Sequence, residues 1–116
     1  MYFVYVKIID RRFKEDIVLS LESAGISRVS YVDSQDLEKE LSNDFGLFRG
    51  FFDPDQHVGE QGLMFALIDD KSQIKEMVKN LRAAGIDVDS QEIIRILAWP
   101  VEYVFDSALG EVDAGE

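Results

Sequence analysis

Cysteine is absent from this chain of 116 residues, which removes disulfides, thiolate nucleophiles and cysteine-held zinc from consideration. Cations are scarce. Twelve Lys and Arg stand against 23 Asp and Glu, giving a formal net charge of -11. No basic run interrupts that balance, so neither nucleic acid nor an anionic membrane is expected as a partner, because both are bound through clustered cations. No apolar stretch reaches membrane-spanning length. The opening, Met1-Tyr2-Phe3-Val4-Tyr5-Val6-Lys7-Ile8-Ile9, has no basic leader and reads directly as a strand, and the resulting expectation is a cytoplasmic protein. Catalytic signatures are missing as well. The chain has no Ser-His-Asp arrangement, no Gly-x-Ser-x-Gly elbow and no phosphate loop ending in Gly-Lys-Ser/Thr.

What is present is a repeat. Lys14 to Ile26 reads as a short amphipathic helix, with Ile17, Val18, Leu21 and Ala24 on one stripe and a close at Ala24-Gly25-Ile26. Gln73 to Ile86 reads the same way, with Ile74, Met77, Val78 and Leu81 apolar and a close at Ala84-Gly85-Ile86. Alignment on the two glycines places Val18 opposite Val78 and Leu21 opposite Leu81. Each helix lies between strand-like runs: residues 2 to 9 and 27 to 33 for the first, 62 to 69 and 92 to 99 for the second. Strand, helix, strand written twice predicts an α/β (α+β) fold, the ferredoxin-like βαββαβ plait. Its four-stranded antiparallel sheet carries two helices on one face. The other face is then bare, and some of the 8 Phe and 4 Tyr are expected at a subunit interface.

By length the chain is one domain, placed at residues 1 to 105. Pro100 interrupts the last ladder, so Val101-Glu102-Tyr103-Val104-Phe105 is either an extra edge strand or an arm on a neighbouring subunit. Residues 106 to 116, rich in Gly and acids, are expected to fray as a flexible tail. The loop between the second and third strands, residues 35 to 59, is too long for a simple connection, and long loops inside compact domains are often functional.

That loop holds most of the candidate site residues. Phe45, Phe48, Phe51 and Phe52 surround Arg49, which Gly46 and Gly50 flank. Guanidinium can fork onto a carboxylate or phosphate, and rings can stack on a flat ligand. The competing explanation is an apolar loop packed on an adjacent subunit. Asp53, Asp55, His57 and Glu60 form a metal-like cluster, but their spacing matches neither a calcium loop nor a zinc helix, and no metal is assigned. Arg11, Arg12, Arg28 and Arg95 are dispersed in sequence, and Arg95 is taken as a ligand or partner contact should the fold gather them. Trp99 is expected as a core or interface anchor.

The opening strand, the helix ending near residue 25, the long central loop and the short C-terminal strand resemble the nitrogen regulatory PII and PII-like signalling proteins, and the related CutA-type trimers. The likeness spans about residues 2 to 105 and is architectural. It implies a homotrimer with sheets facing inward, small ligands in clefts between subunits, and residues 35 to 59 as a reporter loop that contacts a protein target. Residues 86 to 92 and 99 to 105 would flank the cleft. The nucleotide motif does not carry over: Gly85-Ile86-Asp87-Val88-Asp89-Ser90-Gln91 is acidic where nucleotide-binding members are rich in Gly and Lys, and residues 35 to 59 lack tyrosine. Bare ATP is therefore not expected to bind tightly, and no cofactor is assigned. The leading expectation is a non-enzymatic, PII-like regulatory or small-ligand-binding protein. The alternatives are a small ferredoxin-like enzyme of the monooxygenase or isomerase type, with His57 and Arg49 as its polar groups, or a structural oligomer that binds nothing small.

Overall fold

The computed structural model describes residues 1–35 and 60–115. Strands β1 (Tyr2–Ile8), β2 (Ser30–Gln35), β3 (Glu60–Ile68) and β4 (Ile94–Pro100) form one sheet in the order β2-β3-β1-β4. Every neighbouring pair is antiparallel. Helices α1 (Lys14–Ser23) and α2 (Ser72–Ala83) cover one face, which is the predicted ferredoxin-like plait. Alternation along the strands decides what those helices cover. Val4, Val6 and Ile8 of β1 and Met64, Ala66 and Ile68 of β3 are buried with Ile17 and Leu21 of α1 and Met77 and Leu81 of α2.

Both helices end by one mechanism, which accounts for the repeated Ala-Gly-Ile. Gly25 (φ 76°) and Gly85 (φ 82°) adopt the left-handed conformation that other residues enter at a cost. Their N–H groups donate to Glu22 and Arg82, while Ile26 and Ile86 donate five residues back to Leu21 and Leu81. These bonds satisfy the last carbonyls of each helix and fold a buried isoleucine onto its final turn. At the start of α2, Asp70 Oδ1 accepts from the Ser72 N–H at 2.9 Å. Gln73 joins the two repeats. Its Oε1 accepts from the Asp69 N–H at 3.1 Å and its Nε2 donates to the Gly25 carbonyl at 3.3 Å.

Strand ends shift by a residue or two from the sequence expectation, and two differences go further. The second strand begins at Ser30 rather than residue 27, because Arg28 sits at φ 59° and a left-handed residue cannot continue an extended ladder. After Pro100, which closes the edge strand β4 opposite Tyr2, the chain does not add to the sheet. Tyr103–Asp106 (β5) pairs with Gly110–Asp113 (β6) as a separate hairpin, so part of the expected flexible tail is a strand. Val101 N–H to the Met1 carbonyl (3.0 Å) ties the hairpin base to β1, and Arg28 reaches Asp106 at 3.3 Å.

Candidate functional site

The face of the sheet turned away from the helices is the first candidate surface. Register aligns it in rows across the strands. Trp99, Phe3 and Leu67 form one row and Leu97, Tyr5 and Phe65 the next. Arg95, Lys7, Leu63 and Val32 form the third. Phe3 stacks on Phe65 with centroids 5.8 Å apart, tilts against Trp99 at 5.0 Å, and Tyr5 meets the Phe65 edge at 6.0 Å. Such offset and edge contacts suit the ring quadrupoles and hold the cluster in one arrangement. Trp99 is nevertheless 46% exposed and Leu97 50%. No described residue of this chain covers them.

The third row ends in two like charges. Lys7 and Arg95 are register partners on adjacent strands and project to the same face. Arg95 is therefore at the rim of an apolar patch. Arg28 lies across the sheet beside the hairpin, and Arg12 folds back on Asp10, with Nε to Oδ1 at 3.0 Å and Nη2 to Oδ2 at 2.6 Å. The dispersed arginines do not form one anion site among the described residues.

A second candidate lies on the covered side, where α1 and β2 fail to close. Between them lies a cleft of about 680 Å³ walled by Val18, Leu21, Ile26, Val29, Tyr31 and Met64. Lys14, Glu22 and Arg28 supply its charge. Tyr31 lies across Gly62: a Cβ built there would stand 2.7 Å from Tyr31 Cε2, so the missing side chain admits the ring. The Tyr31 hydroxyl donates to Asp33 Oδ1 at 2.9 Å, and Lys14 Nζ sits 4.0 Å above the ring centroid.

Connections between elements carry the perturbed acids. The two hydrogen bonds from Arg82 to Asp89, 3.0 and 2.7 Å, hold that carboxyl below its ordinary range. Asp106 is lowered by the N–H groups of Ala108 and Leu109, with Arg28 adding to them. The Ser72 N–H does the same for Asp70. Asp87 accepts from the Ser90 N–H and hydroxyl. The acidic segment after α2 is thus built into turns and an ion pair.

Phe45, Phe48, Arg49, Phe51 and Phe52 lie outside the described residues, as do Asp53, Asp55 and His57. Glu60 opens β3 opposite Gln35, so the long insertion leaves and returns at paired positions on one end of the sheet. Among the described residues no group of three His, Cys, Asp or Glu converges as a metal site, and no helix is long and apolar enough to cross a membrane. Sequence reading missed the Phe3–Tyr5–Phe65–Trp99 cluster and the cleft at Tyr31. The first had a signal in the odd-numbered positions of β1, Phe3, Tyr5 and Lys7, which differ in character from Val4, Val6 and Ile8. The second had none, because its lining comes from residues of α1, the turn after it, β2 and β3 that only the fold brings together. Comparison with models of known protein families and with curated proteins finds no match.

Proposed function

We propose that this chain is a non-enzymatic regulatory or small-ligand-binding protein that works as a homo-oligomer, a trimer of the PII-like kind, in the cytoplasm. The observation that carries this reading is the open aromatic face of the sheet. Burying Trp99, Leu97 and their neighbours against other copies removes apolar surface from water, and ordered exposed patches of this kind mark association sites. Self-association through the sheet leaves both helices and the paired ends Gln35 and Glu60 outward, so the insertion between them can report to a protein target. Phe45, Phe48, Phe51, Phe52 and Arg49 are its contact residues in this proposal, with Arg95 at the interface rim. Light scattering over a concentration series tests the assembly, and a metabolite thermal-shift screen tests the ligand, since a specific ligand raises the melting temperature by mass action. A 13.2 kDa particle at micromolar protein removes the trimer, and a stable dimer keeps the fold but removes much of the PII analogy. The cleft between α1 and β2 favours one second reading, a small enzyme using a cavity between sheet and helix.

A further inference from the structure

We propose that the cleft between α1 and β2 binds a small amphipathic carboxylate, with its acid group at Lys14 and its apolar body along Val18, Leu21, Ile26, Val29 and Met64. This deepens the small-ligand part of the proposed function and rests on it. The volume, about 680 Å³, falls within the range of roughly 300–1,000 Å³ typical of small-molecule sites. Its walls also follow the usual plan of apolar surface with a few placed polar groups.

Charge fixes the orientation. Lys14 and Glu22 belong to the same helix, eight residues apart, so their backbones are separated by about 12 Å along its axis. The lining therefore has a lysine toward one end of the helix and a glutamate toward the other, with Arg28 as its second cation. Lys14 opens α1, whose first turn also carries Glu15 and Asp16, so its own ammonium rather than the helix dipole supplies the positive charge at that end. Among the described residues no carboxylate pairs with Lys14, and the Tyr31 ring holds its ammonium in place. Arg28, by contrast, is engaged by Asp106. An anion seated at the Lys14 end meets the available cation, while Glu22 repels the reverse pose. A neutral apolar molecule gains only the walls, and a dianion would put its second charge in apolar surroundings or against Glu22.

The backbone frames the cleft with fixed parts. Gly25 and Ile26 are locked by the helix closure, Arg28 by its left-handed turn and ion pair, and Tyr31 by Gly62 beneath it and Asp33 at its hydroxyl. A preformed site loses less freedom on binding than one that must assemble.

The test titrates 4-phenylbutyrate and its neutral amide, 4-phenylbutyramide, into the full chain, followed by amide NMR shifts at Val18, Ile26, Val29 and Tyr31. The acid is expected to saturate with a Kd below about 1 mM and to bind tighter than the amide. Lys14→Met should weaken the acid about fivefold or more and leave the amide unchanged. Val18→Trp, checked for native circular dichroism, should abolish both by filling the cleft. Absence of saturable shifts, equal affinity for acid and amide, or an unaffected Lys14→Met overturns the proposal. So does binding that appears only after Phe45, Phe48, Phe51 and Phe52 are all replaced by Ser, since the chain itself would then occupy the cleft. Light scattering on the same samples reports assembly independently, which separates failure of the ligand from failure of the oligomeric reading.

Discussion

On β1 alternate residues face opposite sides of the sheet, and the two sides are built from different chemistry. Val4, Val6 and Ile8 turn to the helices and are essentially inaccessible, whereas Phe3, Tyr5 and Lys7 turn away and remain half-buried. The covered side is aliphatic and interdigitates with Met77, Leu81, Ile17 and Leu21. The open side is aromatic, ordered by ring contacts among its own members, and edged by Lys7 and Arg95. The covered side is packed within one chain except at the cleft between α1 and β2, and the open side carries aromatic side chains that no described residue covers. Aromatic anchors with a charged rim are the usual anatomy of association surfaces.

The difference predicts unequal responses to truncation. Ile8→Ala, on the covered side, should cost about 2–5 kcal/mol through lost transfer energy and an unfilled cavity. Leu97→Ala, on the open side, should cost less than about 1 kcal/mol at protein concentrations low enough to favour monomer. Urea denaturation of both variants checks the ratio, and equal losses would mean that the two faces are not distinct.

A smaller effect probes a tight approach on the covered side, at Gly62. Gly62→Ala places a methyl against the Tyr31 ring and should destabilise by about 1–3 kcal/mol. Most of that loss should disappear in a Tyr31→Ala background, because the two residues share the same space. A double-mutant cycle with no coupling energy would show that the ring does not rest on Gly62.

Acid tests the turns and connections between the elements. Asp70, Asp89 and Asp106 are all held below the ordinary carboxylate range, Asp70 by the Ser72 N–H, Asp89 by Arg82 and Asp106 by the Ala108 and Leu109 N–H groups. For a depressed carboxylate the contribution to stability is present above the unfolded value and disappears as pH falls through the folded one. Stability should therefore be insensitive to these groups above about pH 5 and decline below about pH 4. Asp106→Asn should remove part of that decline. A denaturation series at stepped pH measures it, and an unchanged acid limb would count against the Asp106 contacts. The smallest expected effect is none at all: calorimetric titration of metal-free ATP should show no saturable site tighter than about 10 μM.

Much of this fold was legible in the chain. Gly25 and Gly85 marked both helix ends because only a left-handed residue closes a helix that way, and the apolar stripes marked the covered face. Leu97-Ala98-Trp99 was less informative, since an unbroken apolar run does not reveal which of its side chains meets a helix. The start of β2 and the hairpin after Pro100 were hidden for a related reason. Arg28 is not a residue type that announces a left-handed φ, and the acidic β6 sequence Gly-Glu-Val-Asp resembles a tail. Of the candidate contact residues, Arg95 is placed on the open face, while those in residues 45 to 52 lie outside the described residues.

Sedimentation velocity of the wild type beside Leu97→Glu tests the central claim most directly, because it charges the open face on strand β4, beside Tyr5, without touching the helix-side core. The account predicts that the wild type sediments as a homotrimer and that Leu97→Glu sediments as a folded 13.2 kDa monomer. A wild type that stays monomeric at micromolar concentration, or a variant that associates as the wild type does, would contradict it.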